Sequence, residues 1–88
     1  MKKAKTITVL CVDDHPIVRE GLLAVIATQP DMMVVDEAEN GEIAIIKYRK
    51  HKPDVVLMDL RMPGQGGAET IINIREEFPS ARIIVLTT

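Results

Sequence analysis

A doubly wound α/β domain with a parallel sheet is the fold this sequence predicts. Three observations predict it. Short apolar runs alternate with longer amphipathic stretches along the whole chain. The first, third and fourth runs are apolar at consecutive positions, as strands covered on both faces are. Proline- and glycine-containing breaks separate nearly every run from the next stretch.

In order, Thr6 to Val12 reads as a strand. Pro16 to Gln29 reads as a helix with Val18, Leu22, Val25 and Ile26 on one face, and Pro16 suits a first turn whose N–H needs no partner. After Pro30-Asp31, Met33 to Ala38 is a second strand, near an edge of the sheet because it carries Asp36-Glu37. Asn40-Gly41 turns into a helix from Gly41 to His51 that buries Ile43, Ala44 and Ile46 and turns Lys47, Arg49 and Lys50 mostly outward. Lys52-Pro53-Asp54 stops it. Val55 to Met58 is a third strand ending in Asp59, and a Gly/Pro-rich loop, Met62 to Gly67, follows. Ala68 to Phe78 is a helix with Ile71, Ile74 and Phe78 inward, and Arg82 to Leu86 is the fourth strand, ending in Thr87-Thr88. The order is βαβαβαβ, with no repeat, linker or low-complexity tract.

Composition narrows the function. The 88 residues make one domain at most, 47% apolar and 27% charged, with net charge −2. A chain of this size buries roughly two-thirds of its unfolded surface, so the core is modest. Tyr48 and Phe78 are the aromatics, so that core is aliphatic. No basic stripe or interleaved aromatic ladder marks a nucleic-acid surface. Cys11 is the single cysteine, reads as a small buried hydrophobe, and fits a reducing cytoplasmic setting. The basic start, Met1 to Lys5, is no secretory signal because Asp13-Asp14 cuts the following apolar run short, and no run has membrane-spanning length.

Ligands of open parallel sheets bind beyond the carboxyl ends of the strands. Strand one ends in Asp13 and Asp14, strand three in Asp59, strand four in Thr87. Right-handed crossovers set these three strands side by side. Three clustered carboxylates repel one another unless a cation joins them, and an all-oxygen set of this kind suits Mg²⁺. Such a pocket is half of a phosphoryl-transfer site, with Asp59 as the nucleophile that would form an acyl phosphate. Taken singly, Asp14 reads as a helix N-cap, Asp13 as a solvated loop acid, Asp59 as a turn residue and Thr87 as an ordinary strand residue. Their joint placement at the ends of three apolar strands favours the site.

Val12-Asp13-Asp14-His15-Pro16, Val55 to Pro63 (VVLMDLRMP), Gly67 and Val85-Leu86-Thr87-Thr88 together resemble the signatures of response-regulator receiver domains, over the whole chain. The resemblance implies a flavodoxin-like topology and a switch phosphorylated by a histidine kinase. Asp59 would be the phosphoacceptor. Asp14 would bind Mg²⁺ directly, Asp13 chiefly through water, and the backbone carbonyl of Arg61 would complete the protein ligands. Thr87 would hydrogen-bond the phosphoryl group and move with it, while Pro63 and Gly67 shape the loop. Asp-Asp-His-Pro followed by Val18-Arg19-Glu20-Gly21-Leu22 is similar to the subfamily joined to a LuxR-type helix-turn-helix output domain, which implies DNA contact through that domain, transcription control and a homodimer on phosphorylation.

Two departures stand out. Gly66 replaces the family's usual Asp or Asn, which makes the loop glycine-rich and flexible. The family's later Lys, fifth strand with its aromatic switch residue, and last helix do not occur in these residues, so residues 1–88 read as a receiver domain incomplete at its C-terminal side, with the output domain outside them. Two competing readings are a magnesium-dependent phosphatase or phosphotransferase and a receiver-like binding module that takes no phosphate. The enzyme reading expects a second acid two residues after the nucleophile, where Arg61 stands; the missing Lys favours the module, and the full Asp13, Asp14, Asp59 and Thr87 set opposes it. Arg61 is also placed to tune access at the site mouth. His15 reads as a loop residue at that mouth, His51 as a solvated helix-end cation, and the methionines as core residues except Met62 in the site loop.

If strand four ends the sheet, Ile83 to Leu86 is an apolar edge that invites pairing with a second copy. An edge-to-edge or intertwined dimer, or aggregation, is expected for these 88 residues; a monodisperse folded monomer by sedimentation velocity would contradict it.

Overall fold

The computed structural model describes residues 5–62 and 66–86. Its elements are β1 (Ile7–Val12), α1 (Pro16–Ala27), β2 (Met32–Ala38), α2 (Gly41–His51), β3 (Val55–Asp59), α3 (Gly67–Glu77) and β4 (Ile83–Leu86). All strand pairs are parallel, in the order β2-β1-β3-β4. The doubly wound sheet expected from the sequence is the one observed. β2 lies at an edge, as its charges suggested.

Alternation along β1 builds the two halves of the core. Val9 and Cys11 face α1, where Ile26, Leu22, Val34 and Leu57 join them. Leu10 and Val12 face the other way, into a cluster with Ala44 and Tyr48 of α2, Ile74 of α3, and Val56 and Met58 of β3. Helix α1 thus covers one face and α2 with α3 the other. The chain winds outward from β1 in one direction and returns past it in the other, so winding reverses between β1 and β3. Burial pushes the Cys11 thiol up to about 11, which matches an inert core thiol.

The ends of the elements have local causes. Asn40 caps α2 by accepting from the Ile43 N–H at 2.9 Å. Lys52 ends it in the left-handed region at φ 43°, its N–H donating to the Tyr48 carbonyl, and Pro53 prevents continuation. At the amino end of the sheet, Asp54 accepts from the Thr8 N–H at 2.8 Å and its hydroxyl at 3.1 Å, while the Asp54 N–H donates to that hydroxyl. The two aromatics meet between α2 and α3, with Tyr48 and Phe78 centroids 4.8 Å apart.

Several residue-level expectations need correction. On α1, Leu22 and Ile26 define the inward face, whereas Val18 and Val25 fall on its flank and are exposed, Val25 at 64%. On α2, Gly41, Ala44 and Tyr48 repeat at the helical period, which turns Ile46 about 200° from Ala44 and into solvent. Lys47 is not outward: its ammonium pairs with Asp36 at 2.8 Å and reaches the Glu37 carbonyl. His51 is not a free helix-end cation, because Nε2 lies 2.9 Å from Asp36 Oδ2. Met62 belongs to the core cluster and not to a solvated loop. β4 is apolar but only half covered, with Ile84 and Val85 exposed, since none of the described elements lies beyond it.

Lys47, then the Glu37 N–H and His51, hold the Asp36 carboxyl down to about 2, against 3.8 in an unfolded chain. The folded state therefore gains stability from this group above about pH 4, and loses it as pH falls toward 2. The linkage is at most about 2 kcal/mol, trimmed by solvent reaching a side chain that stays partly exposed. Asp36→Asn should lower the denaturant midpoint at pH 7 and lose that difference between pH 4 and 2; the same difference at both ends of the range would refute this origin.

Candidate functional site

Winding reversal leaves a crevice at the carboxyl ends of β1 and β3, and the acidic residues line it. The register Val12↔Met58 continues to Asp13 beside Asp59. Asp59 in turn pairs with Leu86, one residue before Thr87. Thr87 itself, and Pro63 in the loop, lie outside the described residues. The crevice is a cleft of about 380 Å³ lined by Asp13, Asp14, His15, Val18, Asp59 and Arg61. Every acid expected there is there.

Each carboxylate is held by backbone geometry. The Asp13 N–H donates to the Ala38 carbonyl at 3.0 Å, which extends the β1–β2 ladder by one residue. Arg19, one turn into α1, donates from Nη1 to the Asp13 carbonyl at 2.6 Å and from Nε to Glu37 at 3.1 Å. Asp13 Oδ1 accepts the His15 N–H at 2.8 Å. Asp59 Oδ1 accepts the Arg61 N–H at 2.9 Å, and Oδ2 lies toward His15. Asp13 and Asp59 are 3% and 6% exposed.

Asp14 behaves differently. The helix it precedes is capped at His15, and no side chain caps it, so the N-cap reading of Asp14 does not hold. Its Oδ1 is buried and accepts no hydrogen bond among the described residues, although His15 Nδ1 is 2.9 Å away. A buried carboxylate oxygen left without a donor is costly unless a cation serves it. Donor atoms of Asp13, Asp14, Asp59 and His15 all lie within 4.8 Å of one another. An oxygen-rich cluster with an orphaned anionic atom fits Mg²⁺.

His15 is nearer this centre than a residue at the mouth. Its Nδ1 lies 3.0 Å from Asp13 Oδ1 and 3.8 Å from Asp59 Oδ2. The Asp13 hydrogen bond, then the Asp14 charge, raise its pKa above the ordinary imidazole value. The sequence signal was adjacency to the acidic pair. Arg19 was not singled out beforehand; its signal was its place four residues after His15, one turn behind the pocket. Arg61 is exposed, and its side chain lines the cleft.

A parallel sheet whose winding reverses at a strand-end acidic pocket defines a receiver-type signalling domain. Residues 9–88 match the response regulator receiver domain family, and the chain belongs to that family. It is 42% identical to the nitrate/nitrite response regulator protein NarL of Escherichia coli over 87 residues, 99% of this chain and 40% of NarL. The crystal structure of a LuxR-family two-component response regulator from an Aurantimonas species superimposes with a TM-score of 0.90 at 44% identity, covering 94% of this chain and 59% of that one. RcsB from Salmonella enterica serovar Typhimurium, bound to promoter rprA in the presence of phosphomimetic BeF3−, gives a TM-score of 0.86 at 36% identity, covering 93% and 69%. The chain thus spans about 40% of the length of NarL. These likenesses support the LuxR-type subfamily. Receiver domains of response regulators are signalling proteins that generally bind Mg²⁺ at an acidic pocket, and the aspartate cluster is present.

Gly67 opens α3 against the end of β3. A Cβ there would collide with the Asp59 carbonyl and come within 2.6 Å of Leu60 Cα, both backbone atoms that cannot rotate away. Gly67→Ala should cost about 2 kcal/mol or more, as overpacking into fixed backbone does. Chemical denaturation within about 0.5 kcal/mol of the native protein would contradict that contact.

Proposed function

We propose that Asp59 is a phosphoacceptor, phosphorylated by a histidine kinase, and that the acyl phosphate switches an output carried elsewhere in the protein. One observation carries the reading: Asp13, Asp14 and Asp59 meet in a single cleft, with an oxygen of Asp14 left without a donor. In the transfer, an Asp59 carboxylate oxygen attacks phosphorus, the new O–P bond forms as the donor's P–N bond breaks, and the imidazole leaves as a neutral base after taking a proton. The Arg61 N–H fixes Oδ1, which leaves Oδ2, on the His15 side, as the attacking atom. Asp13 and Asp14, with Asp59 and the Arg61 carbonyl, would hold Mg²⁺, which when bound would offset charge on the phosphoryl oxygens. Thr87 donates its hydroxyl to the phosphoryl group and moves with it.

The chain acts on itself and turns over no separate substrate, because the position two residues after Asp59 holds Arg61 and no general acid. In this reading residues 1–88 are a C-terminally incomplete receiver domain and the DNA-binding output lies outside them. NarL is named a response regulator and RcsB was captured on a promoter, which supports transcription as the output. A phosphorylation-dependent homodimer in the cytoplasm completes the proposal. Among the described residues no helix is long and apolar enough to cross a membrane.

Incubation with Mg²⁺ and a small acyl-phosphate donor, followed by intact mass measurement, tests the acceptor. One phosphoryl group should add, and should be absent in Asp59→Asn and in EDTA. Equal uptake by Asp59→Asn would move the acceptor elsewhere, and no uptake by the folded protein would favour a silent binding module.

A further inference from the structure

We propose that Arg19 is a positioning residue for the acidic pocket: through one backbone oxygen it sets how both Asp13 and Asp14 enter the cleft. The inference rests on the acidic-pocket reading above and concerns what holds those two acids in place.

Arg19 donates from Nη1 to the Asp13 carbonyl at 2.6 Å. That carbonyl belongs to the planar peptide unit joining Asp13 to Asp14, which moves as one rigid body. The torsion before this unit orients Asp13 and the torsion after it orients Asp14, so a bond to its oxygen restrains both. β1 ends at Val12, and just past it the Asp13 N–H still donates to the Ala38 carbonyl at 3.0 Å. Asp13 is thus held at its N–H by the backbone at the end of β2 and at its carbonyl by a side chain of α1.

The arginine is itself anchored. Its N–H donates to the His15 carbonyl at 3.0 Å, in the first turn of α1. Its Nε donates to Glu37 Oε1 at 3.1 Å, and the Glu37 N–H is bonded in turn to Asp36 Oδ1 at 2.8 Å. A guanidinium presents Nε and Nη1 in a fixed fork, so the bond to Glu37 also aims Nη1. The Arg19 side chain is 18% exposed, which leaves little water to compete for either bond. Glu37 aims the arginine, and the arginine aims the peptide.

An ion pair that served stability alone would need only charge, and with a partner as exposed as Glu37 it would be worth little. Arg19 instead makes the shorter of its two bonds to an uncharged oxygen, the one that links the two acids.

Calorimetric titration with Mg²⁺ and chemical denaturation of the native protein, Arg19→Lys and Arg19→Ala separate positioning from stability. Lysine keeps the charge beside Glu37, but its single ammonium lacks the fork that holds both oxygens. Partners that orient metal ligands from behind are worth about 10–100-fold in affinity, so both variants should raise the Mg²⁺ Kd by about tenfold or more. Arg19→Lys should keep most of the denaturation midpoint that Arg19→Ala loses. In either variant without metal, amide hydrogen exchange should quicken at Asp13 and His15 more than at Leu10 in the middle of β1. An unchanged Mg²⁺ Kd in folded Arg19→Lys, or exchange that rises equally at Asp13 and Leu10, overturns the positioning role. Native protein that binds no Mg²⁺ overturns the acidic-pocket reading instead, and the exchange comparison then decides the role of Arg19 by itself.

Discussion

Mutual repulsion of three carboxylates at one end of a small sheet is the constraint around which the local structure is arranged. Asp13 and Asp59 are almost fully buried, where water screens them least. Backbone N–H groups of His15 and Arg61 meet part of this charge. The His15 ring meets more of it. None of the hydrogen bonds among the described residues reaches Asp14 Oδ1, whose near neighbour is the His15 ring at 2.9 Å. Arg19 adds a buttress from behind: by donating to the Asp13 carbonyl and to Glu37 together, it ties the end of β1 to the end of β2.

Topology explains why the tension sits where it does. α1 lies on one face and α2 and α3 on the other, so the crossovers part between β1 and β3 and leave a cleft over those strand ends. The opposite end of the same two strands is closed by a reciprocal Thr8–Asp54 clasp. Polar groups are satisfied at one end of β1 and β3 and left partly open at the other. An apolar middle, Val9 to Val12 with Val56 to Met58, separates the two ends and keeps water from the strand-end charges on the core side.

Most of the fold was legible because each layer repeats a short-range pattern: four consecutive buried residues in β1, the helical period of Gly41, Ala44 and Tyr48, and punctuation by Asn40 and Pro53. The acids of the site were legible for a related reason, since parallel strands in register carry their ends to one place. What periodicity could not supply was the direction of long side chains. Lys47 and His51 turn toward β2 because Asp36 is there, a partner 11 and 15 residues away. Val25 and Ile46 are apolar yet exposed, because a residue's type does not fix which side of a helix the core occupies. Met62 follows the same logic in reverse: it sits in a loop by sequence and in the core by contact. Thr87 lies outside the described residues, and the register of β4 ends with Leu86 beside Asp59.

Two adjacent glycines show how differently one residue type can matter. Gly66 is the N-cap of α3 at φ −69°, and among the described residues a Cβ there would meet only the Leu60 and Met62 carbonyl oxygens, at 3.9 and 4.0 Å. Neither contact is tight, so glycine at this position gives up a capping side chain without a steric reason among the described residues. The Thr70 hydroxyl and N–H, which both donate to the Gly66 carbonyl, secure the first turn. Gly67 has no such freedom, because its α-carbon is pressed against the backbone of Asp59 and Leu60, and its N–H donates to the Leu60 carbonyl at 3.3 Å. The start of α3 is therefore in rigid contact with the residue proposed to receive phosphate.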